Sequence, residues 1–188
     1  REQQTLEKYL DRMKELILEH GLGDKPIDKE GEAQNHGKVK RLARTLTLNV
    51  LGELSFERNK QVLRFLQESQ FIANGIVISL DGADLANAAL QGTDLHGASL
   101  QAAGLRGAAL SKADLSGANL SRARMREVDM TRASLEGANL NRAYLSKANM
   151  RRARLNHADL QGARLSDTDL SWTSLREANL SGAYLIEA

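Results

Sequence analysis

From residue 80 onward, an apolar residue recurs at every fifth position of the chain. Leu or Met occupies each of the 22 positions from Leu80 to Leu185, and Ala stands two residues earlier in most repeats. This period fits neither regular element, because five residues turn an α-helix by about 500° and an odd spacing on a flat strand alternates between its faces. A register held this long indicates a repeat architecture.

A bend at every repeat would bring all of these leucines together. Within one short extended side, Leu and the residue two before it point the same way, whereas the residue between them points outward. Four such sides close a square coil of about twenty residues, and successive coils stack at about 4.8 Å. Gly, Ser, Asp and Asn near the corners suit tight turns. We therefore predict an all-β solenoid of about five coils over residues 76–188.

Residues 1–72 follow helical spacing instead. Further helices are predicted near residues 38–51, ending at Gly52, and after Ser55, which is a typical N-cap. The polar, aperiodic stretch near 21–37 is predicted to be a loop, with Gly21 and Gly23 ending the first helix. That first helix is indicated by apolar positions three and four residues apart: Leu6, Tyr9, Leu10, Met13, Leu16 and Ile17.

The helical region is expected to cover one end of the solenoid. Open sheet edges at the ends of a solenoid invite aggregation, and only a few residues separate the last predicted helix from the first repeat. We predict an N-terminal α-helical cap whose junction contains Phe71, Ile72, Ile76 and Ile78. The alternative is a separate helical bundle on a linker.

The repeat spells A(D/N)LXX, shown twice in residues 113–123, ADLSGANLSRA. Over about 110 residues this pattern resembles the pentapeptide-repeat family, and the resemblance implies a right-handed quadrilateral β-helix. The helical stretch LEKYLDRMKELILEHGL is similar to a region that precedes the repeats in some bacterial, especially cyanobacterial, members. Such relatives can carry membrane segments upstream. The chain opens on Arg1 rather than Met, so we expect upstream elements to be missing from it. The expected location is cytoplasmic, and the alternative is a full-length protein tethered to a membrane.

The residues offer little catalytic chemistry. Cysteine is absent, so disulfides, thiolate metal sites and thiol nucleophiles are excluded. The four histidines fall in different predicted elements, and no phosphate-binding or dinucleotide motif is present. Asp94 and Asp114 lie one coil apart, but the repeat explains both as surface residues. No apolar run in this chain is long enough for a transmembrane segment. We predict a protein that is not an enzyme and has no cofactor.

Charge along the solenoid is uneven. Residues 121–155 have a net charge of +6, whereas residues 80–120 have −2 and residues 156–188 have −3. Twenty-residue spacing also predicts two outward columns, one of Asp84, Gly104, Arg124, Tyr144, Arg164 and Tyr184, and one of Lys112, Arg132, Arg152 and Trp172. The central basic belt supplies eight candidate anion-binding or partner-binding residues: Arg122, Arg124, Arg126, Arg132, Arg142, Arg151, Arg152 and Arg154.

These features favour a non-enzymatic protein-interaction module, a rigid rod that docks an unknown protein partner. The alternative is binding of nucleic acid or another anionic surface through the basic belt, which would depend steeply on salt. A third function, inhibition of a topoisomerase by mimicking DNA, is known in the family that the repeats resemble. It is less favoured because mimicry needs an acidic surface. The open edge of the last coil further suggests an end-to-end homodimer.

Overall fold

The computed structural model describes residues 1–18, 30–54, 56–69 and 79–188. Its helices are α1 (Glu2–Leu18), α2 (Glu30–Glu53) and α3 (Phe56–Glu68), and each contacts the other two. Several residues named in the sequence predictions lie outside the described part of the chain: Gly21, Gly23, Ser55, Phe71, Ile72, Ile76 and Ile78.

Helix α1 buries the stripe that its sequence predicts. Leu6, Tyr9, Met13 and Leu16 are buried, and the flanking apolar residues Leu10 and Ile17 pack partly buried against them. These residues recur at three and four positions, so they form one face of the helix. The predicted helix is confirmed.

Helix α2 corrects the sequence prediction. The loop predicted near 21–37 and the helix start near residue 38 are wrong for residues 30–37, because α2 begins at Glu30. The prediction relied on apolar periodicity, which these residues lack. Once a helix has nucleated, however, each further residue adds a backbone hydrogen bond and needs no apolar face. The helix ends at Glu53, one residue beyond the predicted Gly52.

The buried face of α2 is more polar than its leucines suggest. Leu42 is 40% exposed, whereas Thr47 is completely buried. The Thr47 hydroxyl donates to the carbonyl oxygen of Ala43 at 2.9 Å and shares a hydrogen bond of 3.1 Å with the hydroxyl of Tyr9. The Tyr9 ring meets Phe65 of α3 edge to face at 6.3 Å. These contacts join the three helices around one small core.

The repeats form a coil with a period of twenty residues. Parallel bridges join residues twenty positions apart, from the pair Asp84 and Gly104 to the pair Arg164 and Tyr184. Four turns occur in each period, so every coil has four sides. We name the four faces by the Leu or Met at the centre of each side: face 1 runs from Leu85 to Leu185, face 2 from Leu90 to Leu170, face 3 from Leu95 to Leu175 and face 4 from Leu80 to Leu180.

Each corner is a tight turn that the sequence marks only in part. The N–H two residues before one leucine donates to the carbonyl of the preceding leucine, as from Ala83 to Leu80 at 3.0 Å. The second residue after each leucine has positive φ, which matches position i+2 of a type II turn. Eight of these residues are Gly and fourteen are not, among them Arg122, Arg132 and Trp172. The backbone bends at every corner whatever side chain stands there.

Leucine and alanine fill the interior. Leu105, Ala103, Leu135 and Ala133 are completely buried, as are most inward residues of the middle coils. Inward threonines are satisfied by backbone: the hydroxyl of Thr168 donates to the carbonyl of Leu145 at 2.9 Å. The small alanines allow opposite sides of the square to approach, and the buried residues form one continuous cluster.

A polar contact joins the helices to the first coil. The guanidinium of Arg44 in α2 donates to the carbonyl oxygen of Asp81 at 2.8 Å. Leu80, at the start of the described repeats, is 1% exposed. The carboxylate of Asp81 in turn accepts from the hydroxyl of Ser99 and the N–H of Gln101 in the next coil.

Candidate interaction face

The Asp or Asn before each leucine has a local structural role. Its side-chain oxygen accepts from the N–H two residues on, over 2.9–3.3 Å, and so completes the turn as an Asx motif. This bond occurs in ten repeats, at Asp84, Asp94, Asp114, Asn119, Asp129, Asn139, Asn149, Asp159, Asp169 and Asn179. The residue type that gives the repeat its signature therefore satisfies an outward N–H.

Two repeats with Ser in this position solve the same problem differently. The N–H of Gln101 donates to Asp81 at 2.7 Å, and the N–H of Arg176 donates to Asn156 at 3.1 Å. In both cases the acceptor comes from the preceding coil. Satisfying this N–H is thus a recurrent feature of the solenoid, although four such groups outside face 1, those of Gln91, Ser111, Glu136 and Asn156, find no acceptor among the described residues.

Face 1 departs from this pattern in every coil after Asp84, whereas faces 2 and 3 depart from it only in some coils. After Asp84, the position before its central Leu or Met holds no Asp or Asn: it reads Gly104, Arg124, Tyr144, Arg164 and Tyr184. Among the described residues, no protein acceptor receives the corresponding outward N–H groups, which belong to Arg106, Arg126, Ser146, Ser166 and Ile186. Functional sites are expected at positions where the sequence departs from the local pattern that stabilises the fold.

The replacing side chains form an ordered column. Bridges join Arg124 to Tyr144, Tyr144 to Arg164 and Arg164 to Tyr184, so neighbours are one coil apart. The guanidinium carbon of Arg164 lies 5.2 Å from the centre of the Tyr144 ring, a cation–π contact. Tyr144 is 43% exposed and Tyr184 is 59% exposed. The column that twenty-residue spacing predicts is present.

Positive charge surrounds this column. Arg122 and Arg142 occupy the corner where face 4 meets face 1, and both are exposed. Glu127 pairs with Arg106 at 3.3 Å and with Arg126 at 3.2 Å. Partial desolvation raises the pKa of Glu127, but the two arginines outweigh it and the pKa is lowered. Among the described residues, Arg122, Arg124 and Arg142 have no ion-pair partner.

The eight arginines of the predicted basic belt do not form one surface. Arg122, Arg124, Arg126 and Arg142 lie together on face 1 and its corner with face 4. The other four are elsewhere: Arg132 and Arg152 at the corner between faces 2 and 3, Arg151 on face 2, and Arg154 on face 3. Two of these have partners, because Arg151 lies 3.5 Å from Asp169 and Arg154 donates to the hydroxyl of Ser134 at 3.1 Å.

The second predicted column occupies a corner. Lys112, Arg132, Arg152 and Trp172 all have positive φ at the turn between faces 2 and 3, and Trp172 is 81% exposed. The corner is diagonally opposite to the one with Arg122 and Arg142. A single flat ligand therefore does not contact both groups of cations.

Other described titratable groups of the repeats also lie at the surface, and Nδ1 of His157 is 3.1 Å from the exposed carboxylate of Glu177. Asp94 and Asp114 are bridged neighbours on face 3. Hydrogen bonds from Ser116 hold the pKa of Asp114 below its usual value. Hydrogen bonds from Ser171, with Arg151 nearby, do the same for the pKa of Asp169. Within the described ranges, no group of His, Asp and Glu is arranged to hold a metal ion, and no helix is long and apolar enough to cross a membrane.

Comparisons with known proteins agree with this architecture. A sequence model described as pentapeptide repeats matches residues 78–117, 103–142, 129–167 and 163–188, with eight copies. A search of curated sequences finds no significant match. The fold defines a solenoid repeat protein. The chain belongs to the pentapeptide-repeat family, whose members fold as right-handed quadrilateral β-helices and are generally structural or interaction modules.

Solved structures of the family resemble parts of the chain. Rfr23 from the cyanobacterium Cyanothece 51142 is 31% identical, with 50% of this chain and 64% of that chain covered and a TM-score of 0.35. AT2G44920 from the Arabidopsis thaliana thylakoid lumen is 28% identical, with 56% and 63% covered and a TM-score of 0.33. QnrB1, a plasmid-mediated fluoroquinolone resistance protein, is 19% identical, with 56% and 60% covered and a TM-score of 0.39. The chain thus covers less than two thirds of each.

Sequence reasoning missed part of the candidate face. Arg164 belongs to the predicted column with Tyr144, but it lies outside the basic window of residues 121–155 and is therefore absent from the eight candidate arginines. The unsatisfied N–H groups of face 1 were also missed. A signal for them exists in the sequence, since every fourth repeat after Asp84 lacks the Asp or Asn before its leucine.

Proposed function

We propose that this chain is a non-enzymatic interaction module that docks a partner protein on face 1. The observation that carries the proposal is the column Arg124, Tyr144, Arg164 and Tyr184, which replaces the turn-forming Asp or Asn of the repeat. Tyr and Arg are the residues that most often dominate binding energy at protein interfaces. A backbone ladder in every coil holds these side chains at fixed spacing.

A lack of enzymatic activity is part of the same proposal. Leu and Ala fill the interior of the middle coils, whereas substrate sites are usually concave and partly apolar. The lowered pKa values of Asp114 and Asp169 favour charged, hydrogen-bonded surface carboxylates rather than a proton donor near neutral pH. The family's general role as structural or interaction modules supports this proposal.

The helical region is proposed to act as the N-terminal cap of a solenoid of about five coils. The bond from Arg44 to the carbonyl of Asp81 and the burial of Leu80 support this proposal, because both protect the edge of the first described coil. A cytoplasmic location with an upstream membrane tether is also proposed, and it rests on resemblance alone.

The docking proposal is tested by crosslinking. A photoreactive amino acid replaces Tyr144 on face 1 and, as the matched control, Asn139 on face 4 in cells of the source organism. We expect a discrete crosslinked product at position 144 only. The captured protein must then bind the purified chain and lose affinity for Arg124→Asn. Equal capture at both positions would remove face 1 as the docking surface.

A second candidate function, binding of nucleic acid or another anionic surface, is supported by the unpaired cations of face 1. Arg122→Ala with Arg142→Ala removes the exposed pair beside that face, and Arg132→Ala with Arg152→Ala removes two charges from the opposite corner. If duplex DNA is a ligand, the affinity of the chain for DNA falls as the salt concentration rises. The variant that lacks Arg122 and Arg142 should then bind DNA more weakly than the variant that lacks Arg132 and Arg152. DNA mimicry is less favoured, because this surface is basic.

An end-to-end homodimer through the last coil is proposed as well. Leu185 is 44% exposed and Ile186 is 68% exposed, and the N–H groups of Leu170, Leu175 and Leu180 find no acceptor among the described residues. Light scattering should detect a concentration-dependent dimer that Ile186→Lys abolishes. Only monomer at high concentration would contradict it.

A further inference from the structure

Face 1 presents a row of hydrogen-bond donors that lack acceptors among the described residues. The N–H groups of Arg126, Ser146 and Ser166 occupy the position that, in ten other repeats, donates to the side-chain oxygen of an Asp or Asn. They belong to successive coils, so they recur at about 4.8 Å along the face. Each of these N–H groups lacks the side-chain oxygen that accepts the equivalent N–H elsewhere in the molecule.

The charge beside this row is positive and only partly compensated. Glu127 already neutralises part of Arg106 and Arg126. Arg122, Arg124 and Arg142 are exposed, and no acid in the described ranges pairs with them. An N–H flanked by unpaired guanidinium groups favours an anionic acceptor, because a charged acceptor strengthens the hydrogen bond.

The aromatic residues favour a polypeptide over a nucleic acid. The guanidinium of Arg164 already lies over the Tyr144 ring, so that ring is in use within the column. Single-stranded nucleic acids usually bind by stacking bases on free aromatic rings. A surface of paired Tyr and Arg is instead typical of the centre of a protein interface.

We propose that face 1 binds an acidic polypeptide segment. Its Asp or Glu carboxylates accept from the N–H groups of Arg126, Ser146 and Ser166, the same bond that the repeat's own Asp or Asn makes elsewhere. Arg122, Arg124 and Arg142 neutralise the carboxylates. The inference rests on the proposed docking role of face 1 and adds the chemistry of the partner.

The probe is a short labelled peptide of alternating Glu and Thr, compared with its Gln and Thr counterpart and with duplex DNA. Binding is measured by fluorescence anisotropy at low and moderate salt. We expect the Glu peptide alone to bind, and the backbone amide signals of Ser146 and Ser166 to shift on its addition. No binding of the Glu peptide to the native chain, or equal binding of the Gln peptide, would overturn the proposal.

Two matched pairs of variants separate charge from hydrogen bonding. Arg124→Asn and Arg154→Asn make the same change at the same position of the repeat on faces 1 and 3. We expect only Arg124→Asn to lower the affinity for the Glu peptide, by about tenfold. Tyr144→Asn restores the internal acceptor for Ser146, whereas Tyr144→Ala removes the ring but leaves that N–H open. Tyr144→Asn should therefore bind the Glu peptide several-fold more weakly than Tyr144→Ala does.

The outcomes distinguish this inference from the docking proposal. Equal loss in Arg124→Asn and Arg154→Asn, or equal affinity of Tyr144→Asn and Tyr144→Ala, would contradict the carboxylate role. If a partner crosslinked at position 144 binds Arg124→Asn as tightly as the native chain, the docking proposal stands. The proposal of an acidic segment is then wrong. Amide shifts at Ser146 caused by duplex DNA and not by peptide would reject the polypeptide and favour nucleic acid.

Discussion

At the scale of single residues, the side chain before each leucine is the usual acceptor of an outward N–H. Asn139 accepts from the N–H of Asn141 at 3.0 Å, whereas Arg124 leaves the N–H of Arg126 without a protein acceptor in the described chain. The first arrangement contributes to folding. The second leaves binding capacity on the surface at some expense of local stability.

Exchanging these two residue types should therefore change stability in opposite directions. Asn139→Ala should lower the free energy of unfolding by about 0.5–1.5 kcal/mol, because it removes one turn hydrogen bond. Arg124→Asn should raise it by a similar amount, since it supplies the missing acceptor and removes a cation close to Arg122 and Arg142. Urea denaturation of both variants checks this. A destabilised Arg124→Asn would show that the arginine itself stabilises the coil.

At the scale of elements, the helical region depends on a buried phenol. Burial raises the pKa of Tyr9 to about 12 from an ordinary value of 10.0. The unfolded chain loses this proton first, so it binds fewer protons than the folded chain between pH 10 and pH 12. The free energy of unfolding must then fall as pH rises through that window, by about 2–3 kcal/mol from this group.

Tyr9→Phe isolates that contribution. Below pH 10 it should cost about 0.5–1.5 kcal/mol, the value of the lost hydrogen bond to Thr47. Above pH 10 the difference between the two proteins should shrink and then reverse, because Phe has no proton to lose. Urea denaturation at several pH values, followed by the helical circular dichroism signal, measures the free energy of unfolding of both proteins. Parallel pH profiles of the two proteins would disprove the role of Tyr9.

At the scale of the whole molecule, the solenoid is stabilised by coil stacking on coil. Leu135 is completely buried in the middle of the stack, and Leu185 in the last coil is 44% exposed. Leu135→Ala should cost about 2–5 kcal/mol, while Leu185→Ala should cost about 1 kcal/mol or less. Thermal and urea unfolding compare the two. Equal losses would mean that the last coil is covered in solution.

Much of the repeat region could be predicted from sequence because its code is local. Five residues specify one side and one corner, and an inward Leu and Ala have only one consistent placement across many repeats. The helices were predictable where apolar residues recur, as at Leu6 and Met13 of α1. The prediction failed over residues 30–37, because a helix can extend without an apolar face.

The candidate site divides in the same way. The sequence determined which residues share a column, including Arg124, Tyr144 and Arg164, since the register never slips. Only the tertiary structure decided which columns share a face. It separated Arg132 and Arg152 from Arg122 and Arg142, because the two pairs lie at diagonally opposite corners of the square coil. It also showed which N–H groups remain open, because acceptors come from neighbouring coils as well as from within a repeat.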